Sequence, residues 1–141
     1  MTVRTVFTDG VFDLLHANHV AFLEEARGFG DRLIVGVISD RRVADYKRWP
    51  VMRQDERLAA VRGLACVDEV FLLDEPMNGA TMSGLIEKYA LAGVVYAGNA
   101  TPDFYGPAEQ AGIMHRIPYR DGVNTSEIIE RIISRRQAGT L

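Results

Sequence analysis

Apolar and polar positions alternate along this chain in two periods, and the periods take turns. Residues 3–8 (VRTVFT) form a short β-branched, apolar run that predicts a first strand. Residues 18–29 (NHVAFLEEARGF) follow with helical spacing, and Glu24 and Glu25 are good helix formers. Asn18 is the predicted N-cap, and Gly28 and Gly30 sit where this helix stops. Residues 32–38 (RLIVGVI) are almost continuously apolar, the mark of a strand covered on both faces of a parallel sheet. The pattern then predicts a helix over 54–63, a strand over 68–73, a helix over 81–89 and a strand over 93–96. A short helix over 107–111 and an edge strand over 114–117 come next. The last helix is predicted to start at Asn124 or Thr125, with Ile128, Ile129, Ile132 and Ile133 in one stripe.

Such alternation predicts an α/β fold: a Rossmann-like, doubly wound parallel five-stranded sheet with helices on both faces. Ligands of these sheets bind beyond the carboxyl ends of the strands, where the strand order reverses. That rule selects four segments: 9–19, 39–50, 97–102 and 118–126. No repeat, low-complexity block or linker breaks the pattern, so residues 1–141 are expected to form one domain.

Composition and charge narrow the function classes. No apolar run approaches the ~20 residues of a membrane helix, and residues 3–7 are too short for a signal peptide. The net charge of −3 argues against broad binding to nucleic acid or an anionic membrane. Cys66 is alone, so there is no disulfide framework, and a cytoplasmic setting fits. Its apolar surroundings mark it as a core residue rather than a nucleophile. An anionic ligand would have to be held by local charge, from Lys47, Arg48, Arg53, Arg57, Arg116 and Arg120.

The segment after the first strand carries the candidate chemistry. Asp9, Gly10, Val11, Phe12 and Asp13 lead into His16 and His19. Gly10 is expected to let the backbone approach a ligand. His19 falls in the first helical turn and His16 in the loop facing it, so both can reach an anion held at the helix amino end. A histidine pair near a helix start often does no more than satisfy local hydrogen bonds. Metal ligation lacks a third ligand at suitable spacing.

Gly10-x-Phe12-Asp13-x-x-His16-x-x-His19 resembles the signature of the HxGH nucleotidyltransferases. It is most similar to the small cytidylyltransferases that activate glycerol 3-phosphate, phosphocholine or phosphoethanolamine. The resemblance covers Phe7 to about Arg131 and agrees with the fold read above. It implies that His16 and His19 stabilise charge on the α-phosphate during in-line attack. Asn18 departs from the glycine usual in that motif.

The remaining loops extend the resemblance. Lys47 and Pro50 fall on the family's functional lysine and its proline, and Arg57 on the arginine opening the next helix. Trp49 either covers a substrate or is a buried anchor. Tyr119, Arg120, Gly122, Val123, Thr125 and Ser126 resemble the family's segment for the outer phosphates, with the arginine one residue late. Gly98 is retained, while Asn99 and Ala100 replace an acidic pair. Phe104 and Tyr105 are candidate acceptor contacts, as are Trp49 and Arg57.

The resemblance implies transfer of CMP from CTP to a small phosphate- or phosphonate-bearing acceptor, with release of pyrophosphate. In this reading His16, His19, Lys47, Arg120 and Ser126 are catalytic. The nucleotide is held by residues 9–13, Gly98, Asn99, Tyr119, Gly122, Val123 and Thr125. Asp13 orients a histidine or helps hold a metal–triphosphate, and Mg²⁺ arrives with the nucleotide. A homodimer is expected from relatives, with residues 64–67 as one candidate interface. The alternatives are an adenylyltransferase of the same fold, making FAD, a dinucleotide or an ADP-sugar, and a non-catalytic nucleotide-binding module.

Overall fold

The computed structural model describes residues 2–98 and 102–141. Five parallel strands form one sheet: β1 (Thr5–Gly10), β2 (Arg32–Ile38), β3 (Glu69–Leu73), β4 (Gly93–Ala97) and β5 (Met114–Ile117). Their order is β3-β2-β1-β4-β5. The chain therefore builds outward through β2 and β3, then returns to the other side of β1. The expected doubly wound topology is observed, and the strand order reverses between β1 and β4.

Period-2 alternation splits the core into two layers. Phe7, Ile34, Ile38 and Val94 face α4 (Gly79–Tyr89) and α5 (Gly106–Gln110), packing on Met82, Leu85, Phe104 and Ala108. Val6, Leu33, Val35, Val37 and Val95 face α1 (Ala17–Arg27) and α3 (Gln54–Arg62), packing on Leu23, Ala26 and Val61. Each such buried side chain contributes about 1.5–3 kcal/mol before chain entropy is counted. Helices thus cover both faces.

β1 pairs with β2 along its whole length, from Thr5↔Arg32 to Gly10↔Val37. Its ladder with β4 holds two pairs, Val6↔Gly93 and Phe7↔Val94. Beyond them the Thr8 hydroxyl reaches the Val95 carbonyl instead, at 2.8 Å. The two strands part there, and a cleft opens.

Several boundaries differ from the sequence reading. The N-cap of α1 is His16, in extended conformation, rather than Asn18, because the backbone is already helical at Ala17 and the Asn18 amide is engaged elsewhere. A short helix, α2 (Asp40–Ala44), capped by Ser39, occupies part of the segment 39–50, for which the pattern predicts no helix. The fourth helix starts at Gly79, two residues early, where Asn78 accepts the Thr81 N–H. A 3₁₀ turn spans Asp103–Tyr105. The isoleucine stripe lies on α6 (Thr125–Gln137), which buries no residue fully; Ile132 and Ile133 remain exposed. Cys66 is half-buried against the α1/α3 layer, with Leu64 and Val67, rather than enclosed. Among the described residues, no helix is long and apolar enough to cross a membrane.

Candidate active site

The turn from β1 into α1 is built from unusual backbone. Phe12 (φ 54°) and Leu14 (φ 50°) both adopt the left-handed region without being glycine, at a cost of about 1–2 kcal/mol each. Tertiary contacts hold them there. Phe12 is buried and lies over Gly10, where a Cβ would sit 2.8 Å from its ring. The Phe12 ring thus requires glycine at this position, which also lines the cleft described below.

Asp13, between the two strained residues, is also buried. Its carboxylate accepts the Val51 N–H at 2.8 Å and the Met52 N–H at 2.9 Å, with Arg48 at 3.9 Å. Both oxygens are occupied by the backbone of another loop. Asp13 makes no hydrogen bond to a histidine, contrary to one of the roles expected for it.

The histidines do face each other. Their rings stack with centroids 3.7 Å apart and planes 19° apart. The His16 backbone N–H donates to His19 Nδ1 at 3.2 Å. In the neutral ring the His19 proton therefore sits on Nε2. The edge of Phe12 packs on His19 at 5.6 Å. His16 Nδ1 is buried and has no hydrogen-bond partner among the described residues. Burial holds the His16 pKa below its ordinary value. His19 falls further, to about 4, first through burial, then through repulsion from His16, with Asp13 opposing and Lys47 assisting. Both shifts favour the uncharged rings.

A cleft of about 1170 Å³ runs along the carboxyl ends of the strands from this pair. Its lining includes Asp9, Gly10, Val11, Phe12, Asp13, His16, His19, Lys47 and Arg48. Tyr119, Arg120, Val123, Thr125 and Ser126 line it at the start of α6, and Phe104 and Tyr105 at the far end. Asn124 caps α6 by accepting the Glu127 N–H at 2.8 Å. The Thr125 hydroxyl donates to the Asp13 carbonyl at 2.9 Å. Arg120 bonds Glu25 at 3.3 Å while still bordering the cleft.

At the far end, the Tyr105 hydroxyl donates to Asp9 Oδ1 at 2.6 Å. Burial raises the Asp9 pKa to about 6, although this hydrogen bond pulls it down. Tyr96 packs on Tyr105 at 4.5 Å, and Tyr46 also borders the cleft. Sequence reasoning missed Tyr46, Tyr96 and Met77 as lining residues. Tyr96 lies one residue before the end of β4, so the strand-end rule contained the signal for it. For Met77 the chain offered none.

Four expected site residues fall elsewhere. Arg57 is fully buried, bonding Asp40 (2.7 Å), the Val11 carbonyl (2.7 Å) and the Met52 carbonyl (3.1 Å), so it cannot touch an acceptor. Trp49 is 63% exposed and lines a separate shallow hollow with Arg41, Arg53 and Asp74. It is neither a buried anchor nor part of the cleft. Gly98 (φ 108°) and Gly122 (φ 109°) shape turns beside the cleft in a backbone region open to glycine. Asn99 lies outside the described residues. Of the candidate cations, Arg53 pairs with Asp55 and Glu56, and Arg116 with Glu109.

The cytidylyltransferase-like family model matches residues 7–131 of this chain. The bifunctional protein HldE of Geobacter sulfurreducens is 40% identical over 139 residues, covering 92% of this chain and 27% of that protein. HldE of Koribacter versatilis is 37% identical over 137 residues, with 91% and 27% covered. The chain spans about a quarter of the length of these relatives. Among solved structures, a lipopolysaccharide core biosynthesis protein from Thermoplasma volcanium superposes with a TM-score of 0.67 at 23% identity, covering 87% of this chain and all of that one. A pantothenate synthetase from Thermus thermophilus superposes at 0.58 with 15% identity, covering 84% and 57%. These two likenesses show the fold alone.

Proposed function

The chain belongs to the cytidylyltransferase-like family, and from that premise we propose that it transfers a nucleotidyl group, from ATP rather than CTP, to a sugar phosphate. The observation that carries nucleotidyl transfer is the stacked histidine pair sharing one cleft with Lys47 and Ser126. The relatives at 37–40% identity are HldE proteins, not glycerol-3-phosphate or choline-phosphate cytidylyltransferases. That kinship favours the ADP-sugar alternative over CMP transfer. The acidic pair of the cytidylyltransferases is also replaced by Asn99 and Ala100.

In this reading the triphosphate lies between the histidine turn and the start of α6. An oxygen of the acceptor phosphate attacks the α-phosphorus. The bond to the β-phosphate oxygen breaks, and pyrophosphate leaves with its electrons. His16 and His19 donate hydrogen bonds where negative charge grows, and Lys47 lies over the same phosphates. Thr125, Ser126 and the free amides of α6 hold the outer phosphates, with Arg120 beside them. Among the described residues, no group of three or more His, Cys, Asp or Glu is placed to hold a metal. Mg²⁺ is expected to arrive with the nucleotide, as its complex. At the far end, Asp9 accepts hydroxyl donors while Phe104 and the tyrosine rings pack on the sugar face.

Pyrophosphate release measured with ATP and with CTP, against a panel of sugar 1-phosphates, tests the reading. ATP with one of the sugars should dominate. Equal or better turnover with CTP would restore cytidylyl transfer, which the motif resemblance favours. His16→Ala should lower kcat about 10²–10³-fold; retention of most activity would remove the histidine pair from the reaction.

A further inference from the structure

Asn18 stands between the two histidines, where the resembled signature carries glycine. Its side-chain amide nitrogen donates twice, to the Asp121 carbonyl at 3.1 Å and the Val123 carbonyl at 2.8 Å. Between those acceptors lies Gly122, close enough that a Cβ on it would meet Asn18 Nδ2 at 3.6 Å. Two further contacts stitch the same segment down: Arg120 to Glu25, and Thr125 to the Asp13 carbonyl. The segment that starts α6 is thus tied to α1 and to the turn that precedes it.

We propose that Asn18 is a positioning residue, a latch that holds the 121–123 turn against α1. It brings the amino end of α6, with Thr125 and Ser126, to a set distance from the histidine rings. With glycine at this place both carbonyls would be left to water, and the turn would have to be ordered by the nucleotide itself. Asn18 replaces that ordering with two internal hydrogen bonds, so binding carries a smaller entropic cost. The functional half of this inference rests on the nucleotidyl-transfer reading. The latch itself does not.

Two variants separate the latch from ordinary helix stability. Asn18 is the second residue of α1. Alanine there keeps the helix, and aspartate favours it through the helix dipole. Neither can donate to the two carbonyls, and aspartate repels them. Hydrogen exchange of the ligand-free protein should show residues 121–127 exchanging roughly tenfold faster or more in Asn18→Ala. Asn18→Asp should be faster still, with residues 19–27 unchanged in both. Calorimetry with inorganic tripolyphosphate should show affinity falling about tenfold in Asn18→Ala, the loss expected from about one hydrogen bond of ordering. In turnover, KM for the nucleotide should rise with kcat nearly constant. Unchanged exchange over 121–127, or a tripolyphosphate affinity that ignores a loosened turn, overturns the proposal. If the exchange and tripolyphosphate results hold while no nucleotide is turned over, the latch stands and the proposed reaction falls.

Discussion

The turn after β1 and the arm after β2 invite comparison, because each follows a strand at the cleft and each carries residues assigned to phosphate chemistry. In the first, side chains do what their spacing implies: His16 and His19, three apart around a helix start, meet at 3.7 Å. In the second, five residues of similar apparent promise scatter. Lys47 and Arg48 border the cleft, Trp49 and Arg53 line another hollow, and Arg57 is buried as a brace. Helical periodicity fixes directions only where the backbone is helical. The arm is irregular from Asp45 to Arg53, and its path is set by hydrogen bonds with Asp13 and Arg57.

The most severe way to break the second region without touching the first is Arg57→Ala. It strips the buried guanidinium from Asp40, whose carboxylate keeps the Gln54 N–H, and from two part-buried carbonyls. Loss of a buried ionic partner should cost about 3–5 kcal/mol of stability, measured by urea denaturation. If Arg57 touched an acceptor instead, KM would rise at unchanged stability.

Titration sharpens the contrast, since Asp9 and His19, both shifted by burial, belong to the first region, in β1 and α1. His19 has its pKa lowered to about 4, so the unfolded chain binds more protons between about 4 and 6.5. Its contribution is complete above 6.5 and is lost as pH falls through 4. Asp9, raised to about 6, runs the other way: its contribution is complete below 3.8 and is lost as pH rises to 6. The two oppose each other in one window. Relative to the parent protein, Asp9→Asn should gain stability from pH 4 to 6, and His19→Gln should lose it. Denaturation midpoints at pH 4.5 and 6.5 test both signs. Parallel shifts would mean that these groups do not titrate as their surroundings imply.

The smallest effect is expected for Trp49→Ala. An exposed side chain outside the cleft should change stability by no more than about 0.5 kcal/mol and leave turnover unchanged. A marked loss of activity would show that the arm closes over the substrate, bringing the two regions together.

Much of the fold was legible in the chain. Apolar runs such as RLIVGVI name a doubly covered strand, and alternation with helices leaves little choice but a parallel sheet. The histidine pair was legible for the same reason, being local and periodic. The N-cap of α1 was not, because Asn18 is a good capping residue whose amide is claimed by carbonyls about a hundred positions away. Nor were α2 and the tyrosines about Asp9, whose meeting depends on β1, β4 and the 3₁₀ turn coming together.

By itself, then, the sequence determined the order and type of the five strands and of the helices other than α2, the covering of the sheet on both faces and the place of the histidines. All of these follow from periods of two and 3.6 residues acting over short spans. Tertiary structure alone decided which charged groups face the cleft and which hold it up. Asp13 and Arg57 have the composition of ligand-binding residues. Burial made them braces, because a buried charge is tolerated only with its partners in place, and those partners come from distant parts of the chain.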